Sequence, residues 1–182
     1  MTQDSLSPYM RGGAILAAVC LVLDQISKWL ILNVVDLDVV HHIEILPFFS
    51  LTMVWNKGIS MGLLQMESDT GRWLLIAGTA AVTVFLVHWL RKAENQLVGL
   101  SLGAIIGGAI GNIIDRFAYG AVADFVHLHA PTTMGDYSFW VFNVADAGIS
   151  LGVVGLLIDS LRGGAKSPKR DETLPDSPAD GE

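Results

Sequence analysis

The chain has 182 residues, of which 52% are hydrophobic and 16% are charged, and its mean hydropathy is +0.50. Soluble domains carry about 25% charged residues, so this composition indicates a protein whose solvent is lipid rather than water. The formal net charge of −7 and the lack of a basic stripe argue against a nucleic-acid partner. A single cysteine, Cys20, excludes an intrachain disulfide.

Four apolar runs are long enough to cross a membrane, which takes roughly 20 helical residues. Because backbone polar groups in lipid must be satisfied within their own segment, these runs are predicted to be helices. The first run is too long for the apolar region of a signal peptide and no small-residue cleavage site follows it, so we expect it to be retained. The predicted spans are residues 12–32, 73–90, 97–114 and 139–158.

Two longer connections separate the predicted spans. In the 33–70 loop, the aromatic and β-branched stretch Leu46 to Trp55 predicts short strands. The 115–138 loop is predicted to return to the membrane surface, with a mobile turn over Pro131 to Tyr137. The expected fold is an all-α membrane protein with four transmembrane helices, a small β-containing outer loop and an interfacial segment before the last span. It forms one domain over residues 1–162, followed by a disordered cytoplasmic tail at 163–182.

The positions of lysine and arginine predict the orientation in the membrane. Arg11 precedes the first span, Arg91 and Lys92 separate the second and third, and four further cations follow the fourth. Residues 117–161 contain no lysine or arginine. Both termini are therefore expected in the cytoplasm, and both longer loops outside.

Ionisable residues inside spans are costly and predict function or specific pairing. Asp24 and Lys28 are spaced i,i+4 in the first span, which favours a structural ion pair over a catalytic role. In the third span, glycines at every fourth position, Gly103, Gly107 and Gly111, predict close helix packing. Asn112, Asp115 and Arg116 follow at its outer end, either as an interfacial anchor or as support for a site.

Two further aspartates form the main candidate site. Asp124 lies in an apolar stretch of the second loop, and Asp146 lies seven residues into the predicted fourth span, about 10 Å below its start at 1.5 Å per residue. Two carboxylates in a partly dry site share one proton, which would supply a base for water and an acid for a carbonyl. Spacing favours peptide hydrolysis only slightly over a proton or cation path.

Other chemistries have weaker support. His127 and His129 with a nearby aspartate could hold a metal, but the segment lacks the helical His-Glu-x-x-His spacing of metallopeptidases. No histidine shares a span with Cys20, which argues against nucleophilic catalysis by its thiol. We therefore predict neither a metal nor a cofactor.

Five short motifs, in one order along residues 12–162, resemble those of the type II signal peptidases, also called lipoprotein signal peptidases. Any one alone would be weak; five in order on a four-span frame are specific. They are Asp24-Gln25-Ile26-Ser27-Lys28, Asn56-Lys57-Gly58, the run from Gly107 to Arg116, the run from Gly120 to Phe125, and Phe142-Asn143-Val144-Ala145-Asp146.

The resemblance implies an aspartic endopeptidase that removes signal peptides from bacterial prolipoproteins, cutting before a diacylglyceryl-modified cysteine. By motif, Asp124 and Asp146 are expected to be the catalytic dyad. The positions expected to support the site or contact substrate are Asn112, Arg116, Asn143, Asn56, Gly58, Asp115, Asp24 and Lys28. A multi-pass monomer in the inner membrane is expected, with its active site near the outer face and with membrane lipids and globomycin-type inhibitors as further ligands.

The chain departs from the family pattern at Ile59-Ser60-Met61, where small residues and a phenylalanine are usual. Two other classes of function remain as alternatives. A proton-coupled transporter would use Asp24, Asp124 and Asp146 as a relay, but the sequence has no internal repeat and its aspartates are expected near one face. A non-catalytic scaffold would leave Asp146 without a reason to lie in a span.

Overall fold

A computed structural model describes residues 7–58, 68–132 and 135–163. The family departure at Ile59-Ser60-Met61 lies outside the described residues. So does the tail predicted at 163–182, except for Gly163, which is the last residue of the final helix.

Four long helices form the membrane-spanning part of the molecule. They are α1 (Pro8–Asn33), α3 (Asp69–Leu90), α4 (Gln96–Tyr119) and α5 (Val144–Gly163), with a four-residue helix α2 (Leu37–Val40) after the first. All four long helices have the length and hydropathy needed to cross a membrane. The predicted fold class, four apolar helices with a small sheet, is confirmed.

Local sequence sets where these helices begin and end. Side chains of Ser7, Ser68 and Asn95 each accept a hydrogen bond from a backbone N–H in the first turn of α1, α3 and α4, respectively. Gly120 follows the last residue of α4 and caps it, with a φ of 80° in the left-handed region that glycine adopts without strain. This sharp end turns the chain from α4 directly into the sheet.

Helix α4 lies at the centre of the bundle, in contact with α1, α3 and α5. Its glycines allow the close approach: a Cβ at Gly103 would meet the carbonyl oxygen of Gly13 on α1, and one at Gly108 would meet that of Ala145 on α5. The other three long helices expose many large apolar side chains, as expected where lipid is the solvent. Small residues on α4 thus bring the polar side chains of three helices together.

The connections between α1 and α3 and between α4 and α5 contribute strands to one antiparallel sheet in the order β1-β2-β3-β4. Its strands are β1 (His42–Leu46), β2 (Phe49–Asn56), β3 (Val122–Thr132) and β4 (Gly135–Phe142). Strand β2 pairs with β3 in a register that sets Val54 opposite Asp124 and Asn56 opposite Val122. The two loops predicted separately are therefore parts of one sheet.

The structure corrects several predicted boundaries. The fourth helix begins at Val144 rather than at residue 139, because Phe139–Phe142 belong to β4; a short apolar run before a span cannot be told from the span by its pattern alone. Asp146 is consequently in the first turn of α5, and the predicted depth of seven residues is wrong. The third helix continues past residue 114 to Tyr119, and strands occupy most of the turn predicted over Pro131 to Tyr137.

Candidate active site

Asp124 lies on β3 directly after the turn that ends α4, and its side chain is only 2% exposed. Both of its carboxylate oxygens accept a hydrogen bond from an asparagine amide. Asn143 Nδ2 donates to Oδ1 over 2.7 Å, and Asn56 Nδ2, at the end of β2, donates to Oδ2 over 3.0 Å. The sheet and the start of α5 therefore fix this carboxyl group from two sides.

Asp146 lies in the first turn of α5, where Asn143 precedes the helix and caps it. Asn143 Oδ1 accepts the backbone N–H of Asp146 over 2.9 Å, and the backbone N–H of Asn143 donates to Asp146 Oδ2 over 3.4 Å. This reciprocal pair has the form of a capping box. Because the side chain of Asn143 also donates to Asp124, one asparagine contacts both aspartates.

Burial and the neighbouring carboxyl group change the acidity of Asp124. Removal from water disfavours its charged form most, and the negative charge of Asp146 adds to this, which raises the pKa of Asp124 to about 7. The amide donors of Asn56 and Asn143 act in the opposite direction. Near neutral pH the Asp124 carboxyl group can therefore hold a proton.

Arg116 on α4 links the site to the connection between α1 and α3. Its Nη2 donates to the carbonyl oxygen of Gly58 over 2.7 Å, and its Nη1 to that of Asn112 over 3.2 Å. Gly58 N–H in turn donates to Asn56 Oδ1 over 3.0 Å. The guanidinium also attracts both aspartates electrostatically.

A second set of polar side chains adjoins the two aspartates and is centred on Lys28 of α1. Its ammonium lies 2.8 Å from Asp24 Oδ2 and 2.7 Å from Asp115 Oδ2, and it donates to Asn112 Oδ1 over 3.3 Å. We call these four residues the lysine cluster; all are buried. The predicted ion pair between Asp24 and Lys28 is present, with Asp115 as a second carboxylate partner.

The lysine cluster also holds backbone next to each aspartate of the pair. Asp24 Oδ1 accepts the N–H of Ala145, the residue before Asp146, over 2.9 Å. Asp115 Oδ2 accepts the N–H of Ala123, the residue before Asp124, over 3.2 Å.

A cavity of about 520 Å³ opens beside Asp146, between α3 and the α4–α5 pair. Its α3 wall is mostly apolar, whereas Asn112, Arg116 and Asp146 are its polar members near the pair. An elongated apolar group bound there would lie next to Asp146.

The histidines lie elsewhere on the sheet. Thr52 Oγ1 is 2.9 Å from His42 Nδ1 and 3.1 Å from His127 Nδ1, and the His127 and His129 rings lie 5.3 Å apart. Burial, followed by the neighbouring histidines, lowers the pKa of His127. Within residues 7–58, 68–132 and 135–163, His, Cys, Asp and Glu form no group of three that could hold a metal ion.

The fold thus gathers every residue predicted for the site into one connected set. Gln25 was named only as part of the first motif and given no role in the site. Its Nε2 donates to Asp24, Asp115 and the carbonyl oxygen of Gly111, and its place between Asp24 and Lys28 in that motif was the available signal. The α3 residues that line the cavity were not predicted, because apolar residues in a span carry no mark of which helix they face.

Four apolar spans around two carboxyl groups, one buried and one half-buried, fit the class of integral membrane hydrolases of the aspartic type. Comparison with known proteins identifies the family. Residues 16–162 match the family model described as signal peptidase (SPase) II. The chain belongs to the signal peptidase II family, and the predicted family and enzyme class are confirmed.

Individual relatives agree with this assignment. The chain is 49% identical to the lipoprotein signal peptidase of Methylorubrum extorquens (strain PA1), over 88% of this chain and 92% of that protein. It is 45% identical to that of Methylobacterium radiotolerans, over 93% and 99% of the two chains. A bacterial membrane enzyme solved by the in meso method at 2.3 Å resolution superposes with a TM-score of 0.74 at 25% identity, over 87% of this chain and 93% of that one.

Proposed function

We propose that this protein removes signal peptides from diacylglyceryl-modified prolipoproteins by cleaving before the lipidated cysteine, with Asp124 and Asp146 as the catalytic pair. The observation that carries the proposal is the bridge through Asn143, which contacts both carboxyl groups at once. Pairs held in this way can divide the roles of acid and base between them.

In the proposed reaction, Asp146 is the base and Asp124 the acid. Asp146 takes a proton from water as the water oxygen attacks the scissile carbonyl carbon, and Asp124 gives its proton to the carbonyl oxygen. Asp146 then gives the proton it took from water to the amide nitrogen, and Asp124 takes a proton back from a hydroxyl of the tetrahedral intermediate. The C–N bond breaks, which leaves a carboxylic acid and the free amine of the lipidated cysteine. The high pKa of Asp124 supports this division, because it keeps a proton available near neutral pH.

The surroundings support a lipid-anchored substrate. An apolar segment in the cavity between α3 and α5 would bring its peptide bond beside Asp146. Arg116 and Asn112 line the same cavity and could orient the substrate backbone. The charge distribution supports an orientation with both termini in the cytoplasm and the pair near the outer face. Globomycin sensitivity and a monomeric state remain predictions.

The direct test is cleavage of a diacylated prolipoprotein by the purified protein in detergent, followed by mass spectrometry of the new N-terminus. We expect cleavage before the modified cysteine, and a loss of at least about 1,000-fold in rate for Asp124→Asn and for Asp146→Asn, since each removes a proton-transfer group. Asp159→Asn, at the opposite end of α5, is the matched control and should cleave at the parent rate. A parent that leaves the substrate intact, or either site variant cleaving at full rate, would contradict the proposal.

A further inference from the structure

Lys28 takes no part in the proposed proton transfers. Its partners Asn112, Asp24 and Asp115, however, bind Asp146 or the backbone next to the two aspartates. Its side chain is 3% exposed and belongs to α1, whereas the cavity beside Asp146 is lined by residues of α3, α4 and α5. Its contacts within the described residues go to Asp24, Asp115 and Asn112. The position of Lys28 therefore argues against a role in binding substrate.

The contact with Asn112 fixes the direction of an amide. An ammonium group only donates hydrogen bonds, so Asn112 must turn its oxygen to Lys28. Asn143 Nδ2 donates to the same oxygen over 3.3 Å, which favours the same direction. The NH₂ group of Asn112 then faces Asp146 and donates to Oδ1 over 2.9 Å. The reversed amide would set a carbonyl oxygen against a carboxylate and NH₂ against two donors.

The two carboxylates paired with Lys28 hold the backbone on which the pair is built. Asp24 binds the N–H of the residue before Asp146, and Asp115 binds that of the residue before Asp124. The two bonds join α1 to the start of α5 and α4 to the start of β3. Because one ammonium holds both carboxylates, it couples the positions of two elements that are far apart in the chain.

We infer that Lys28 is a positioning residue for the proposed reaction, setting the spacing and orientation of Asp124 and Asp146 through Asn112, Asp24 and Asp115. This inference rests on the proposed function. It assigns Lys28 an effect on the chemical step without contact with substrate, and it explains why a buried cation lies two contacts away from the pair.

The test is steady-state kinetics of the full-length protein in detergent with a fluorogenic diacylated peptide. Cleavage rates are measured on the monodisperse fraction and divided by the concentration of folded protein. In Lys28→Met, kcat should fall about 30-fold, since small displacements of reacting groups are costly, while KM stays within about twofold. Lys92→Met, in the exposed turn between α3 and α4, is the matched control and should change neither constant.

Loss of the ammonium leaves two buried carboxylates without a cation, which could prevent folding. Lys28→Met/Asp24→Asn removes one charge of each sign, so it is measured in parallel and is expected to show the same split between kcat and KM. An unchanged kcat in the folded fraction of either variant overturns the inference. A rise in KM that accounts for the whole loss of kcat/KM overturns it too.

A double-mutant cycle separates positioning from a general structural effect. If Lys28 acts in part through Asn112, Lys28→Met/Asn112→Ala should lose clearly less than the product of the two single losses, because the amide to be oriented is already gone. Losses that multiply would mean that Lys28 acts independently, which contradicts the inference. A parent protein that cleaves nothing refutes the proposed function itself, whereas a fully active Lys28→Met refutes only the role of Lys28.

Discussion

At the scale of single residues, the site depends on amide groups that point one way. Three asparagine side chains each accept, through their oxygen, a hydrogen bond from a group that can only donate. The N–H of Gly58 donates to Asn56, the ammonium of Lys28 to Asn112, and the N–H of Asp146 to Asn143. Their NH₂ groups are thereby left to face Asp124 and Asp146. Because the oxygen of each amide is already hydrogen-bonded, the amide has little freedom to flip. Asp124 and Asp146 therefore face NH₂ groups whose orientation is fixed.

The acidity of Asp124 predicts how the rate depends on pH. Burial and the nearby Asp146 raise the pKa of Asp124 to about 7, so its proton is bound below that pH and lost above it. If Asp124 is the acid, kcat/KM should fall as pH rises through about 7, with the apparent value belonging to the coupled pair. Initial rates of peptide cleavage between pH 5 and pH 9 measure this.

Two checks accompany the pH measurement. Enzyme held at pH 9 and returned to pH 6.5 should regain its rate, which separates titration from unfolding. A rate that stays constant up to pH 9 would mean that the proton on Asp124 is not used.

At the scale of elements, the site is made where three elements begin or end. Helix α4 ends at Tyr119, β3 begins at Val122, and α5 begins at Val144. Ends of helices expose unpaired backbone groups, and here Asn143 and Asp24 bind the free N–H groups at the start of α5. The same residues that complete the helix therefore also place the pair.

Asn143 has two roles, capping and donation to the pair, that one substitution separates. Serine caps helices about as well as asparagine but has no NH₂ group to donate to Asp124. We expect Asn143→Ser to keep the thermal midpoint within a few degrees, because the loss is of order 1 kcal/mol. We expect cleavage to fall by about 100-fold, as when one preorganised donor is removed.

Asn95→Ser is the matched control for Asn143→Ser. Asn95 caps α4 by accepting the N–H of Val98, far along the helix from Arg116. Its replacement should give a similar small change in thermal midpoint and the parent rate of cleavage. Equal losses of rate in the two variants would show that capping alone, and not donation to Asp124, accounts for the effect.

At the scale of the whole molecule, one buried helix organises the rest. Helix α4 is mostly buried while the other spans are mostly exposed to the surroundings. It carries Asn112, Asp115 and Arg116 at the end that meets the sheet. The polar network therefore lies at one end of the bundle, which is what a hydrolytic site at a membrane surface requires and what a relay across the membrane would not provide.

The proposed orientation can be tested by labelling single cysteines in a Cys20→Ser background. The two labelling positions are Val39 and Lys92, each replaced by cysteine. Val39 is on α2 beside the sheet and is 74% exposed, and Lys92 is in the exposed turn between α3 and α4, at the other end of the helix bundle. A membrane-impermeant maleimide added to intact spheroplasts should label Val39→Cys and leave Lys92→Cys unlabelled until the membrane is permeabilised. The opposite pattern would reverse the proposed topology.

The sequence by itself determined the four helices and the presence of strands in the first loop, and it proposed the residues that the structure brings together at the candidate site. Each depends on a local property: the length of an apolar run, the cost of a charge in lipid, or a short motif that matches a family. Its errors were also local. Phe139–Phe142 are as apolar as a span, and only pairing with β3 shows that they form a strand.

The tertiary structure alone decided how the site is connected. The hydrogen bond from Ala145 N–H to Asp24 joins residues 121 positions apart, and no local pattern encodes such a contact. The sequence between Asp124 and Asp146 contains no lysine or arginine; the structure brings Arg116 and Lys28 into electrostatic range of the pair from other elements. Packing of α4 against α1 and α5, permitted by its glycines, is the physical reason that these separate charges form one site.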